Sequence, residues 1–226
     1  MLTAIIVAAG SSRRMGFDKL FAIIAGRPVI AHAINAFEQA NSVAEIIVVA
    51  GEDRHDEVRK MSRDASFKKV RSIITGGERR QDSVRAGLEN LSPDARYVAI
   101  HDAARPLVRQ EQIERVFEEC RVHGAAVLAE PISDTLKRAD VDLMVAASVE
   151  RHQLYAMQTP QIFEGTLIEE AYRAVFANRV SVTDEVSAVE RLGRKVFLVP
   201  TEDFNFKITY PRDLALAEFV LKQRMH

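Results

Sequence analysis

Ala4-Ile5-Ile6-Val7-Ala8-Ala9-Gly10-Ser11-Ser12-Arg13-Arg14-Met15-Gly16-Phe17-Asp18-Lys19 decides how this chain folds. Its first six residues form a short aliphatic run, the composition of a strand buried on both faces of a parallel sheet. A glycine, two serines and the cations Arg13, Arg14 and Lys19 follow. Ligands of open α/β sheets bind beyond the carboxyl ends of the strands. Small residues there let the backbone approach a phosphate, and the cations neutralise it. The loop is not a Walker loop, because Gly-Lys-Ser/Thr is missing, nor a dinucleotide fingerprint, because no glycine stands two residues after Gly10. Anion binding outweighs the alternative of a plain basic surface loop.

Working outward, residues 45–50, 70–74, 97–100 and 125–129 read as further buried strands. Helical spacing of apolar residues marks 28–40, with Pro28 suited to the first helical position, then 83–91 and 110–122, the last followed by Gly124 as a C-terminal cap. This βαβ alternation predicts a doubly wound, mostly parallel sheet in a single domain. Residues 131–150 interrupt it: two β-like runs flank the polar turn 139–142, which predicts an inserted β-hairpin arm. Helices at 165–176 and 184–192, a strand at 195–199 and a helix from 211 to about 222 complete the reading.

With 226 residues, 47% of them hydrophobic, the chain can bury one large core. Its 31 basic and 32 acidic side chains nearly cancel, so no global field draws it to nucleic acid or an anionic membrane. The one cysteine, Cys120, excludes an internal disulfide and a cysteine-based zinc site, and it falls on the apolar stripe of its helix. The apolar N-terminus lacks a basic leader and no run approaches a membrane span, so a cytoplasmic protein is expected.

Four more clusters could carry chemistry. Gly76-Gly77-Glu78-Arg79-Arg80-Gln81-Asp82-Ser83 follows a strand and opens a helix, with Arg80 and Ser83 on one helix face. Read blandly, it is a cap with solvated arginines. His101-Asp102-Ala103-Ala104-Arg105-Pro106 puts an acid at a strand's carboxyl end, where it can hold a ribose hydroxyl or a metal ion, or simply cap a helix or pair with Arg105. His101 is left outside the site as an orienting neighbour. The acids of Val182-Thr183-Asp184-Glu185 suit a helix dipole, and Lys207 stands alone in an apolar stretch.

Ala8-Ala9-Gly10 with Arg13-Arg14-Met15 and Lys19, then Asp82-Ser83-Val84, His101 to Pro106, Asp134-Thr135, Thr159-Pro160-Gln161, Thr183-Asp184-Glu185 and Lys207-Ile208-Thr209 occur in an order that resembles the 2-C-methyl-D-erythritol 4-phosphate cytidylyltransferases of the non-mevalonate isoprenoid pathway. Each motif alone is weak; seven in order across the chain are specific. The segment 16–18 is shorter than in some members and lacks their proline before the lysine. The resemblance implies a Rossmann-like nucleotidyltransferase in which Arg14, Lys19 and Lys207 are catalytic. Ala8, Ala9, Gly10, Ser11, Arg80, Ser83 and Asp102 would bind the nucleotide. Arg105, Thr135, Arg151, Thr159 and Thr183 would bind the sugar-alcohol phosphate, with Thr135 and Arg151 reaching the pocket of a partner subunit. It further implies CTP as donor, Mg²⁺ held weakly by Asp102 and mostly by phosphates, and a homodimer with shared sites whose arm is the hairpin; the alternative is an arm folded back on its own domain.

The chemistry agrees. A phosphate monoester is largely dianionic at neutral pH and needs no strong base, which suits a sequence without a Ser-His-Asp order. It needs relief of charge repulsion and in-line placement. A ribitol 5-phosphate cytidylyltransferase is the nearest alternative, and parts of 102–106 and 183–187 disfavour it. An NAD-dependent oxidoreductase lacks the glycine fingerprint, and a non-catalytic binder would not need Lys19 and Lys207 together.

Overall fold

The computed structural model describes residues 1–10 and 16–224. In chain order the elements are β1 (Leu2–Ala8), a ribbon of β2 (Ile23–Ile24) and β3 (Arg27–Pro28), α1 (Val29–Gln39), β4 (Val43–Ala50), α2 (His55–Asp64), β5 (Val70–Thr75), α3 (Arg80–Leu88), β6 (Tyr97–Asp102), α4 (Gln110–His123) and β7 (Ala125–Pro131). There follow β8 (Leu136–Ala139), β9 (Val145–Val149), β10 (Tyr155–Glu164), α5 (Gly165–Ala177), α6 (Glu185–Glu190), β11 (Phe197–Pro200) and α7 (Pro211–Gln223).

Seven strands form one sheet in the order β11-β7-β10-β6-β1-β4-β5. β1 runs parallel to β4 and β6, β4 to β5, and β7 to β11, while β10 is antiparallel to both of its neighbours. The chain lays β4 and β5 on one side of β1 and then returns to place β6 on the other. That reversal opens a crevice at the carboxyl ends of β1 and β6.

Side-chain alternation along the central strands builds two cores. Leu2, Ala4, Ile6 and Ala8 of β1 pack with Ile30, Ile34 and Phe37 of α1 and with Ile113, Val116 and Cys120 of α4. Ile5 points the other way, into a cluster with Val84 of α3, Phe163 of β10 and Ile168 of α5. Burial pushes the Cys120 thiol up to about 12, so it is a core residue and not a nucleophile. Gly124 closes α4 in the left-handed region (φ +80°), with its N–H donating to the Cys120 carbonyl at 2.7 Å.

The doubly wound, mostly parallel sheet and the inserted hairpin are as read from the sequence. Helix α2 was not announced by any apolar stripe, and three further details differ. Pro28 stands just before α1, in the ribbon, and not at its first turn. Helix α3 begins at Arg80, three residues earlier than its apolar spacing announces. The third is β10, a central strand that the alternation did not announce. It carries Pro160, and its ladder with β7 is interrupted between Met157 and Gln161, where the proline cannot donate.

The hairpin β8–β9 forms its own two-stranded sheet, and Asp140 Oδ1 accepts from the N–H groups of Asp142 and Met144 to shape its turn. Val141 is 96% and Leu143 86% exposed, with Met144 and Val145 also outward, so in the single chain this arm does not fold back over its own core.

Phe163 is fully buried and ties β10 to α5. Phe163→Ala is expected to cost about 3–5 kcal/mol, read as a lower urea midpoint at an unchanged slope.

Candidate active site

The loop after β5 packs directly against the end of β1. A Cβ at Gly76 would stand 2.4 Å from Ala9 Cβ and 2.7 Å from Ser83 Oγ, so only glycine permits this approach. Ser83 is buried, and its hydroxyl accepts from the Gly77 N–H at 3.2 Å, fixing the turn into α3. Ala8 is buried at the strand end and Gly10 is exposed beyond it. Arg54, in a short 3₁₀ turn after β4, donates to the Gly10 carbonyl at 3.2 Å and pairs with Asp18 at 2.7 Å. It thereby ties the start of the glycine loop to its far side. Ser11 and Arg14 lie outside the described residues.

Asp102 ends β6 and is the centre of the crevice. Its Oδ1 accepts from Arg80 Nε at 2.9 Å, and its Oδ2 accepts from Lys207 Nζ at 2.7 Å. Burial alone would raise the Asp102 carboxyl, but the charges of Arg80 and Lys207 outweigh it and hold the group far below the usual carboxylate range. Lys19 donates to the carbonyl of Ile208 at 2.6 Å, so its ammonium lies beside the segment that carries Lys207. Residues from opposite ends of the chain are thus joined by a hydrogen bond.

His101 is fully buried against Phe37. Its Nε2 lies 3.1 Å from the Arg105 carbonyl and its Nδ1 2.9 Å from Thr159 Oγ1. A carbonyl can only accept, so Nε2 carries the proton and the neutral ring accepts the Thr159 hydroxyl at Nδ1. Thr159 Oγ1 in turn accepts the Asp102 N–H at 3.1 Å. Burial pushes the His101 imidazole down to about 4, against the pull of the Asp102 charge.

Among the residues assigned to the sugar phosphate, Thr159 therefore lies at the centre with its hydroxyl engaged. The Arg105 guanidinium turns to the carbonyls of Asn205 (2.8 Å) and Met157 (3.5 Å), and its Nε is buried without a partner among the described residues. Thr183 is exposed, just before Asp184 caps α6 by accepting from the Ser187 N–H at 3.0 Å. Thr135 and Arg151 sit at the root of the hairpin, where Arg151 donates to the Ser133 carbonyl. The structure does not gather these last two with Asp102.

Two groups escaped the sequence reading. Arg54 carried no signal. Glu185 reads in the sequence as a helix-start acid and as part of the Thr183-Asp184-Glu185 motif, with no role of its own; it is fully buried, and Arg80 donates to both of its oxygens, at 2.6 and 3.0 Å.

Among the described residues, no three His, Cys, Asp or Glu side chains form a group that could hold a metal ion. A cation here fits only with Asp102 as its protein ligand and phosphate and water oxygens for the rest.

A doubly wound, mostly parallel sheet with a switch-point crevice, a buried acid and a glycine-shaped loop is the fold of a Rossmann-like nucleotidyltransferase. Residues 2–223 match the family model described as 2-C-methyl-D-erythritol 4-phosphate cytidylyltransferase, IspD, and the chain belongs to that family. A relative of that name from Dehalococcoides mccartyi is 39% identical over 221 residues, covering 97% of this chain and 96% of its own. One from Halalkalibacterium halodurans is 38% identical over 224 residues, with 98% and 97% covered. The crystal structure of 4-diphosphocytidyl-2C-methyl-D-erythritol synthase from Anaerococcus prevotii superposes with a TM-score of 0.87 at 29% identity, covering 98% of each chain. That of the Thermus thermophilus cytidylyltransferase gives 0.79 at 30%, covering 96% of this chain and 98% of its own.

The His101 geometry sets a pH dependence. Unfolded, this histidine binds its proton near pH 6.5; folded, only near 4. Between those values the unfolded chain holds more protons, so stability falls as pH drops through the window and is flat above it, by up to about 3 kcal/mol in all. Partly buried His32, also lowered, adds in the same direction. Denaturation curves at pH 7 and 4.5 are expected to show this loss, and His101→Gln, which keeps a donor for the Arg105 carbonyl, is expected to flatten it.

Proposed function

We propose that this chain transfers a cytidylyl group from CTP to 2-C-methyl-D-erythritol 4-phosphate, giving 4-diphosphocytidyl-2-C-methyl-D-erythritol and pyrophosphate in isoprenoid precursor biosynthesis. The observation that carries the reading is the family match across residues 2–223, joined to a crevice in which Lys207 pairs with Asp102 and Lys19 bonds the next residue's carbonyl. The relatives compared carry the erythritol name, and nothing favours a ribitol substrate.

In this reaction an oxygen of the sugar phosphate forms a bond to the α-phosphorus of CTP, and the bond from that phosphorus to the bridging oxygen of the β-phosphate breaks. The dianionic nucleophile brings no proton that must be removed. The barrier is repulsion between two polyanions, which fixed cations lower. Lys19 and Lys207 supply that charge, and Arg14 holds the triphosphate as the resemblance implies. Lys207 rests on Asp102 and can exchange it for phosphate oxygens when nucleotide arrives. Mg²⁺, when bound, neutralises triphosphate charge, and Asp102 would hold it. Thr159 and His101 keep the Asp102 backbone in place.

The protein works as a homodimer. A lone hairpin is marginal in water, and this one exposes Val141, Leu143, Met144 and Val145. A two-fold arrangement covers both arms by the same contacts and carries Thr135 and Arg151 to the neighbour's sugar-phosphate pocket. No helix among the described residues is long and apolar enough to cross a membrane; we assign the enzyme to the cytoplasm, where its phosphorylated substrates would be at hand.

A pyrophosphate-release assay across sugar phosphates and the four nucleoside triphosphates tests the assignment, with turnover expected for CTP and the erythritol phosphate; turnover with ribitol 5-phosphate alone would overturn it. Lys19→Ala is expected to lower kcat by about 100-fold or more with thermal unfolding unchanged, and a near-normal rate removes it from the mechanism. Mixing inactive Lys19→Ala with inactive Arg151→Ala protein is expected to restore activity, because a mixed dimer holds one intact site. Verified subunit exchange without recovery defeats the shared site.

A further inference from the structure

Glu185 is a carboxylate with no exposure to water, placed at the first residue of a six-residue helix. Burying such a charge costs several kcal/mol unless partners compensate it, and nothing in the chemistry of phosphate transfer demands it. Its surroundings are fully specified. Oε1 accepts from Arg80 Nη1 at 2.6 Å and from the Tyr172 hydroxyl at 2.9 Å, while Oε2 accepts from Arg80 Nη2 at 3.0 Å. Its backbone N–H donates to Gln161 on β10 at 3.2 Å. Burial and the Glu185 charge push the Tyr172 phenol well up, so it remains a donor. Burial opposes the Arg80 charge, but Glu185 and Asp102 outweigh it and hold the guanidinium further into its charged form.

The geometry assigns a consequence to this clamp. A planar guanidinium held bidentately cannot rotate about its stem. With Nη1 and Nη2 turned to Glu185, Arg80 reaches Asp102 through Nε alone, and only at Oδ1. Oδ2 is left to Lys207, a lysine 40% exposed and therefore able to leave. Released from Glu185, the same guanidinium could turn its fork onto both Asp102 oxygens, or onto the triphosphate, and the exchangeable oxygen would be lost. We propose that Glu185, steadied by Tyr172, is a positioning residue. It acts only through Arg80, restricting that arginine to one oxygen of Asp102 and leaving the other to Lys207, which can leave it for the phosphates of the incoming nucleotide. This rests on the cytidylyltransferase reading above and adds a residue to it.

The test is a double-mutant cycle in the full-length protein, with CTP and 2-C-methyl-D-erythritol 4-phosphate as substrates. Glu185→Gln keeps the shape and the Tyr172 bond while removing the charge. It is expected to lower kcat/KM for CTP about 30-fold, with KM for the sugar phosphate within about twofold of its original value. In an Arg80→Lys background, where no fork remains to be oriented, the same change is expected to cost less than about threefold. Equal losses in both backgrounds indicate a packing role and overturn the proposal, as does an unaffected Glu185→Gln. Should Glu185→Gln lose its cooperative thermal transition, Tyr172→Phe replaces it in the cycle, with about a threefold loss expected in the original background and none beside Arg80→Lys. CTP affinity by calorimetry runs the same cycle without turnover. An unsubstituted protein that binds CTP but releases no pyrophosphate would therefore defeat the parent reading, while the affinities still decide this one.

Discussion

Everything at the catalytic end of this molecule is arranged around the burial of one carboxylate. Asp102 ends a central strand whose six residues are all buried, and an unpaired charge there would not be tolerated. Its compensation comes from remote parts of the chain: Arg80 from α3, Lys207 from the segment after β11, and Thr159 from β10. Arg80 is itself compensated by Glu185 from α6. In this network opposite charges are each satisfied by the other. His101, the imidazole next to this acid in sequence, is spent on structure with both nitrogens engaged.

Much of this was legible in the sequence, for identifiable reasons. Strands buried on both faces are aliphatic throughout, so β1, β4, β6 and the start of β7 stand out, and an acid or glycine directly after one of them marks the crevice. What escaped had its signal masked. β10 carries Gln158, Thr159 and Gln161, all buried but polar, and its proline argues against a central strand. Helix α2 is charged nearly all round and buries only Val58 and Ser62, so no apolar stripe announces it. Glu185 satisfies a helix dipole as well as it satisfies an arginine, and no sequence pattern separates the two. Ser83 was named for the nucleotide, yet its hydroxyl first of all builds the loop.

The antiparallel strand has a consequence for the order in which the molecule comes into being. β7 and β11 reach the rest of the sheet only through β10. Until β10 docks, β6 is an open edge that offers its backbone groups to any extended chain, and the acid at its tip lacks its threonine, its lysine and the arginine's own anchor. In chain order β1, β4, β5 and β6 come first, but the second core waits for Phe163, Ile168 and Tyr172, and the last of the charges that neutralise Asp102 comes with Lys207. Until then the chain is a sheet with an unfinished seam. Completion of the fold and completion of the site are a single event.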